Sequence, residues 1–271
     1  MPVRDAAADL TLLEESVREG GKIARAFFGG DYKRWDKSKG NPVTEADLAV
    51  DKYLRETLCA ARPGYGWLSE ETEDDAQRLQ AECVFVVDPI DGTVAFMKGR
   101  PHFTICAGIV VDGNPVAGAV YNPIAEECFT ARVGHGAFLN GAPIHVSGRD
   151  GVEGCRMLGD KAMFAHAAWN TPPNRPWPAM EIETRGSIAY RIVLVACGQF
   201  DAMMALSSKR DWDVAAAQII ATEAGGQVTT HTGAALRYNR ESTLQPSLVA
   251  AGPTLQAQLL ERVSHINLPR G

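Results

Sequence analysis

The sequence predicts an α+β fold, with an antiparallel sheet filling the first half of the chain and helices alternating with short strands in the second. Three observations carry this reading. Val84-Phe85-Val86-Val87 is a continuous, mostly β-branched run of the kind that forms a buried central strand. Apolar segments from Ile105 to Val111 and from Val116 to Tyr121 flank Asp112-Gly113, and Asn140-Gly141 divides another apolar pair, so both dipeptides read as hairpin turns. Past residue 145 the pattern changes. Residues 187–197 and 212–224 read as helices closed by Gly198 and by Gly225-Gly226, with strands near 201–206 and 247–251.

Leu10, Leu13, Val17, Ala24 and Phe27 recur at helical spacing and mark the first helix, with Thr11 and Glu14 as its capping box and Gly29-Gly30 as its stop. A second helix starts at Thr44, carries Asp47 in its first turn, and runs through Leu48, Tyr53, Leu54 and Leu58 to Pro63-Gly64. No repeat, low-complexity tract or flexible linker interrupts the chain, so an N-terminal part, 1–145, and a C-terminal part, 146–271, are expected to pack as one compact unit. The segment TPPNRPWP, residues 171–178, holds four of the 15 prolines and reads as a stiff surface loop or one overhanging a site or a dimer seam.

Composition removes several function classes. With 45% hydrophobic and 22% charged residues in 271, the chain is neither disordered nor fibrous. Lys plus Arg number 27 against 33 Asp plus Glu, and no basic block occurs, so a nucleic-acid partner is not expected. The charge of -6 also disfavours anionic ligands unless bound cations reverse the local sign. The cysteines at 59, 83, 106, 128, 155 and 197 lie too far apart for zinc ribbons or redox dithiols. Apolar stretches such as Ile105 to Val111 fall far short of the ~20 residues of a membrane span, so the expected location is cytoplasmic, with reduced thiols and no membrane partner.

Several phosphate- and ester-cleaving machines are missing: there is no Walker A loop, GxSxG elbow, CxxxxxR signature or HExxH, and the histidines show no metal-ligand spacing. Carboxylates carry the signal instead. In Asp88-Pro89-Ile90-Asp91-Gly92-Thr93 one acid stands at the end of the buried strand and a second follows three residues later, so two carboxylates and the Ile90 carbonyl can converge on one point. Hard oxygen donors of this kind suit Mg²⁺. Thr93 then opens a short helix through Met97 whose free N–H groups suit a phosphate. The hexapeptide alone reads equally as an Asp-Gly turn with a capping threonine. Glu70-Glu71 runs on into Thr72-Glu73-Asp74-Asp75 and reads equally as a solvated face, and Asp213 as a charge complementing a helix dipole. Asp211-Trp212-Asp213 is not a dehalogenase-type nucleophile motif, because Ser207-Ser208-Lys209-Arg210 precedes it rather than an apolar strand.

Taken in order, Thr44-Glu45-Ala46-Asp47, Glu70-Glu71, DPIDGT at 88–93, GHGAFLNG at 134–141, and WDVAA at 212–216 with Glu223-Ala224-Gly225-Gly226 resemble the inositol monophosphatase family of magnesium-dependent, lithium-sensitive phosphatases, over residues 10–260. The resemblance implies a layered αβαβα sandwich and a homodimer. It implies two or three Mg²⁺ ions, with Glu70, Asp88 and the Ile90 carbonyl at the first, Asp88, Asp91 and Asp213 at the second, and Glu70 facing a weaker third. It further implies that Thr93, Asp47 and Glu70 orient and activate the attacking water, and that Gly92 and Thr93 hold the phosphate, with no covalent phosphoenzyme.

Substrate choice is where the chain departs from that pattern. Inositol monophosphatases generally place a sugar-binding glutamate about seven residues before the WD aspartate; here the region reads Met204-Ala205-Leu206-Ser207. Arg191, in the segment opened by Ser187, falls near a lysine of the 3'(2'),5'-bisphosphate nucleotidases, and Lys209 adds charge nearby; both read equally as surface cations. The expected function is a Mg²⁺-dependent phosphomonoesterase of the inositol 1-phosphate type on a small phosphorylated metabolite, with Asp91, Gly92, Thr93, Ser187, Arg191 and Lys209 toward substrate. The alternatives are a bisphosphate nucleotidase, a histidinol-phosphate phosphatase or fructose-1,6-bisphosphatase, and, in another class, a non-catalytic binding protein.

Overall fold

The computed structural model describes residues 5–38 and 41–268. In chain order the elements are α1 (Ala6–Phe27), β1 (Arg34–Ser38), β2 (Asn41–Thr44), α2 (Glu45–Ala61), β3 (Gly66–Ser69), β4 (Cys83–Asp91), α3 (Thr93–Met97), β5 (Thr104–Val111), β6 (Asn114–Asn122), β7 (Glu127–Arg132), β8 (Ala137–Leu139), β9 (Ala142–Ile144), β10 (Arg156–Leu158), α4 (Lys161–Phe164), β11 (Glu181–Glu183), α5 (Ile188–Ala196), β12 (Ala202–Ala205), β13 (Lys209–Arg210), α6 (Asp211–Glu223), β14 (Gln227–Thr229), β15 (Leu244–Gln245), β16 (Leu248–Ala251) and α7 (Pro253–Val263). Strands β3 to β9 form one seven-stranded sheet in sequence order, antiparallel except for the parallel pair β3 and β4. A second, five-stranded sheet runs in the order β11-β10-β12-β16-β14.

Two faces of β4 explain its unbroken apolar run. Phe85 and Val87 point to one side, where Leu13 and Val17 of α1 and Val50 and Leu54 of α2 cover the sheet. Val84 and Val86 point to the other, against α5 and α6. A strand buried on both sides has no polar face to alternate with. The far side of α5 and α6 meets Met203, Leu248 and Ala250 of the second sheet, and Leu255, Leu259 and Val263 of α7 close that sheet's outer face. The layers therefore run α1/α2, sheet, α5/α6, sheet, α7, the αβαβα sandwich that the resemblance implied.

Both hairpin turns form, with Asp112-Gly113 joining β5 to β6 and Asn140-Gly141 joining β8 to β9; all four residues take positive φ, the backbone geometry of a tight two-residue loop. The first helix starts earlier than its expected cap. Asp5 is the N-cap and accepts from the Ala7 and Ala8 amides, while the Thr11 hydroxyl donates back to the Ala7 carbonyl and Glu14 pairs with Arg18. Thr11 and Glu14 are thus interior helix residues, and the helix gains a turn. The proline-rich segment lies on the outermost layer: Trp177 packs edge-on against Phe164 and Trp169, under the Arg262 guanidinium 5.2 Å from its ring centre. Among the described residues the six cysteines form no disulfide, and no helix is long and apolar enough to cross a membrane.

One close approach fixes α6. Gly108 and Gly118 face each other across β5 and β6, leaving a flat window on which the Ala216 backbone rests. A Cβ on Gly118 would stand 2.6 Å from the Ala216 carbonyl oxygen, and backbone cannot move aside as a side chain does. Gly118→Ala should therefore lower stability by about 1–3 kcal/mol, the usual cost of overpacking, while Gly99→Ala, in open space, should cost mainly its local turn strain. Urea denaturation of the two variants checks this; equal losses would show that the window does not constrain α6.

Candidate active site

Strand register brings the first two acids together. In the parallel β3–β4 pair Ser69 stands opposite Val87, and the Glu70 amide extends the ladder by donating to the Val87 carbonyl at 3.3 Å. Glu70 and Asp88 thus leave adjacent strand ends side by side. Pro89 has no amide hydrogen for the ladder, and the β4–β5 register slips between Asp88 and Asp91. Asp91 is then free to reach the start of α5, where its Oδ2 accepts from the Ser187 hydroxyl and the Ala189 amide, both at 2.6 Å. Gly92 follows at φ +98, and a Cβ there would meet the His102 carbonyl at 3.0 Å and the Ser187 amide at 3.1 Å.

The fourth acid comes from the opposite half. Asp213 lies in the first turn of α6, where its Oδ2 accepts the Arg210 amide at 2.8 Å. Carboxylate oxygens of Glu70, Asp88 and Asp213 lie within 4.8 Å of one another. An all-oxygen donor set at this spacing fits a hard divalent cation.

Asp47 stands in the first turn of α2, as the sequence predicts, and caps it together with Thr44, while its Oδ1 accepts the Thr93 hydroxyl at 3.1 Å. The same hydroxyl lies 3.1 Å from the Ile90 carbonyl, so Thr93 can donate to either. Below Glu70, Ser69 and Thr72 both donate to Asp51, at 2.5 and 2.8 Å, and fix the turn that carries the glutamate pair. Lys37, from the β1–β2 hairpin, bridges that pair, its Nζ 2.9 Å from Glu70 and 2.9 Å from Glu71. Sequence reading had no signal for Lys37.

Burial sets the electrostatics. It pushes the Asp88 carboxyl well above its usual range, reinforced by the charges of Glu70, Asp91 and Asp213. Asp213 is pushed up to about 8, by burial first and Asp91 next, and Asp91 to about 6, where hydrogen bonds from Ser187 and the start of α5 offset part of the burial. Glu71, buried beside Lys37, is raised to about 7, and Asp47 is also raised, again chiefly by burial. A cation placed among carboxyls so arranged would favour their joint ionisation.

A cavity of about 410 Å³ opens over this cluster. Glu70, Asp88, Asp91, Gly92, Thr93, Arg191 and Asp213 line it, while Asp47 stands behind Thr93. Two expected substrate contacts are elsewhere. Ser187 is fully buried and spends its hydroxyl on Asp91, so it positions a carboxylate rather than facing the cavity. Lys209 turns its ammonium onto the Ser207 and Ser208 carbonyls and the Ser207 hydroxyl, and does not line the cavity. Arg191 lines it, but its Nε donates to the Arg185 carbonyl at 2.8 Å, a hold on its own loop. Leu206 packs against the apolar cluster of the second sheet. Three further cations, Lys98, Arg100 and Arg185, stand on the remaining wall around His102, and the sequence pattern gave no sign of them.

In the unfolded chain Asp213 and Asp91 return to about 3.8, below their folded values of about 8 and 6. Between those limits the unfolded chain has released protons that the folded one keeps, so without metal stability falls as pH rises. Calorimetry in chelator should show Tm declining from about pH 5 to about pH 8, with a shallower slope for Asp213→Asn. A rising Tm over that window would contradict the assigned burial.

A family model described as "Inositol monophosphatase family" matches residues 6–268. An inositol monophosphatase of Mesembryanthemum crystallinum is 32% identical over 243 residues, covering 86% of this chain and 88% of that one. The Nus factor SuhB of Xylella fastidiosa strain Temecula1 is 30% identical over 231 residues, covering 84% of this chain and 82% of the other. Among solved structures, the extragenic suppressor protein suhB of Bartonella henselae superposes with a TM-score of 0.81 at 26% identity, covering 95% of this chain and 99% of that one. With the match spanning nearly every described residue, the chain belongs to the inositol monophosphatase family.

Proposed function

We propose that the chain is a Mg²⁺-dependent phosphomonoesterase that hydrolyses a small phosphorylated metabolite, of the inositol 1-phosphate type, by direct attack of water. The observation that carries this reading is the convergence of Glu70, Asp88 and Asp213, with Asp91 locked beside them, next to the Thr93–Asp47 pair. Glu70, Asp88, the Ile90 carbonyl, Asp91 and Asp213 would hold two or three Mg²⁺ ions, which supply positive charge to the phosphate and lower the pKa of water.

The chain's own residues then have distinct tasks. Thr93 donates to Asp47, so its hydroxyl oxygen is left to accept from a water molecule. Asp47, raised by burial, is a stronger base than an exposed aspartate and can accept a proton through Thr93, while Glu70 offers a second acceptor. Asp91 cannot swing, because two donors from the start of α5 hold it. Gly92 and Thr93 bring backbone amides to the cavity wall at the opening of α3, where a phosphate oxygen would be received.

Chelation should abolish turnover of a generic phosphomonoester, Mg²⁺ should restore it without zinc, and Li⁺ should inhibit. Full activity in excess chelator would overturn the reading. Asp88→Asn and Asp213→Asn should each lower kcat by at least ~100-fold, since each removes charge at the reacting phosphate while preserving size. Glu71→Gln should cost less, because Glu71 is turned toward Lys37 and does not line the cavity.

A further inference from the structure

The cationic wall of the cavity has no part in the hydrolysis just described. It is built from two segments, residues 98–102 after α3 and residues 183–186 before α5, which backbone contacts hold together: the Ser187 amide donates to the His102 carbonyl at 3.1 Å. Gly186 lies so close that a Cβ on it would stand 2.5 Å from the Ala95 Cβ and 3.0 Å from the His102 carbonyl. Main-chain packing, rather than attraction between their side chains, brings these like charges together.

Among the described residues, no ion pair neutralises Lys98 or Arg100, and their side chains make no hydrogen bond, although four carboxylates line the same cavity. Arg185 pairs with Glu183 at 2.7 Å, but Glu183 is largely exposed, so this contact is weakly held. Between the two arginines, His102 is pushed below its usual range by burial first and then by the guanidiniums of Arg185 and Arg100, so the three groups share one local field. A concave wall of one sign concentrates that field and attracts an anion.

We infer that Lys98, Arg100 and Arg185 form a second anion subsite, and that the substrate is a phosphomonoester whose alcohol portion carries another anionic group, a phosphate or a carboxylate. The scissile phosphate sits over Glu70, Asp88 and Asp213, and the second anion reaches across the cavity to the 98–100 and 185 segments. This deepens the proposed hydrolase reading and rests on it. It also moves the second charge away from Arg191, which donates to the Arg185 carbonyl ahead of its helix, and from Lys209, which donates to the Ser208 carbonyl.

The test uses matched pairs that differ only in the second anion: 3-phosphoglycerate against glycerol 3-phosphate for a carboxylate, and fructose 1,6-bisphosphate against fructose 1-phosphate for a phosphate. Turnover with Mg²⁺ and binding by calorimetry with Ca²⁺ are both measured on the full-length protein. The doubly anionic member of at least one pair should be favoured by roughly tenfold or more in kcat/KM and in Kd. The pair that shows the preference identifies the anion. In Arg100→Gln/Arg185→Gln, with circular dichroism confirming the fold, that ratio should fall about tenfold toward unity. Equal binding within both pairs, or a preference that survives the double variant, would overturn the subsite. A binding preference without turnover of any phosphomonoester would overturn the hydrolase reading and leave the subsite standing.

Discussion

Taking a carboxylate out of water is costly, and this fold does so with Asp88 and Asp91, beside the half-buried Glu70 and Asp213, with no ion pair to either buried acid among the described residues. Such an arrangement persists only if each group is held by something stronger than its neighbours' repulsion. Strand register holds Glu70 and Asp88, the first turn of α5 holds Asp91, and the Arg210 amide holds Asp213. For Asp91 and Asp213 the anchor is a helix N-terminus, where unpaired amide hydrogens are available by construction. The site can therefore be rigid and electrostatically unfavourable at once, a state that a bound cation relieves.

Helix α6 links that site to the core. Its first turn carries Asp213, and its middle lies on the Gly108–Gly118 window between the two sheets. Val214, Ala217 and Ile220 are fully buried, so the helix has no freedom to shift along its axis without disturbing both sheets. The small residues after Asp213 are what let the backbone come so close. Packing in the core and the placement of a candidate metal ligand are thus one geometric problem.

What was legible in the sequence follows from how local each determinant is. The backbone course of DPIDGT is legible because a buried strand, a proline, and a glycine with positive φ fix it within six residues. The start of the second helix at Thr44, with Asp47 in its first turn, is legible because a capping box is a four-residue device. At the first helix the pattern offered a cap at Thr11, but Asp5 lies far enough upstream to add a turn, and an acceptable helix interior cannot by itself say where the helix began. Ser187 and Lys209 stand near the site in sequence, yet their polar atoms are committed to Asp91 and to a neighbouring loop. The cations at 98, 100 and 185 gave no signal, because their meeting depends on two irregular segments held by contacts that no periodicity encodes.

The seven-stranded sheet ends at Ile144 and the second sheet begins at Arg156, so the polypeptide crosses between sheets along a short connection. Glu70, Asp88 and Asp91 lie before that crossing; Asp213 and both donors that fix Asp91 lie after it. Neither stretch alone contains a complete constellation. The candidate site is consequently a property of the whole molecule, completed only where the two sheets meet across α5 and α6.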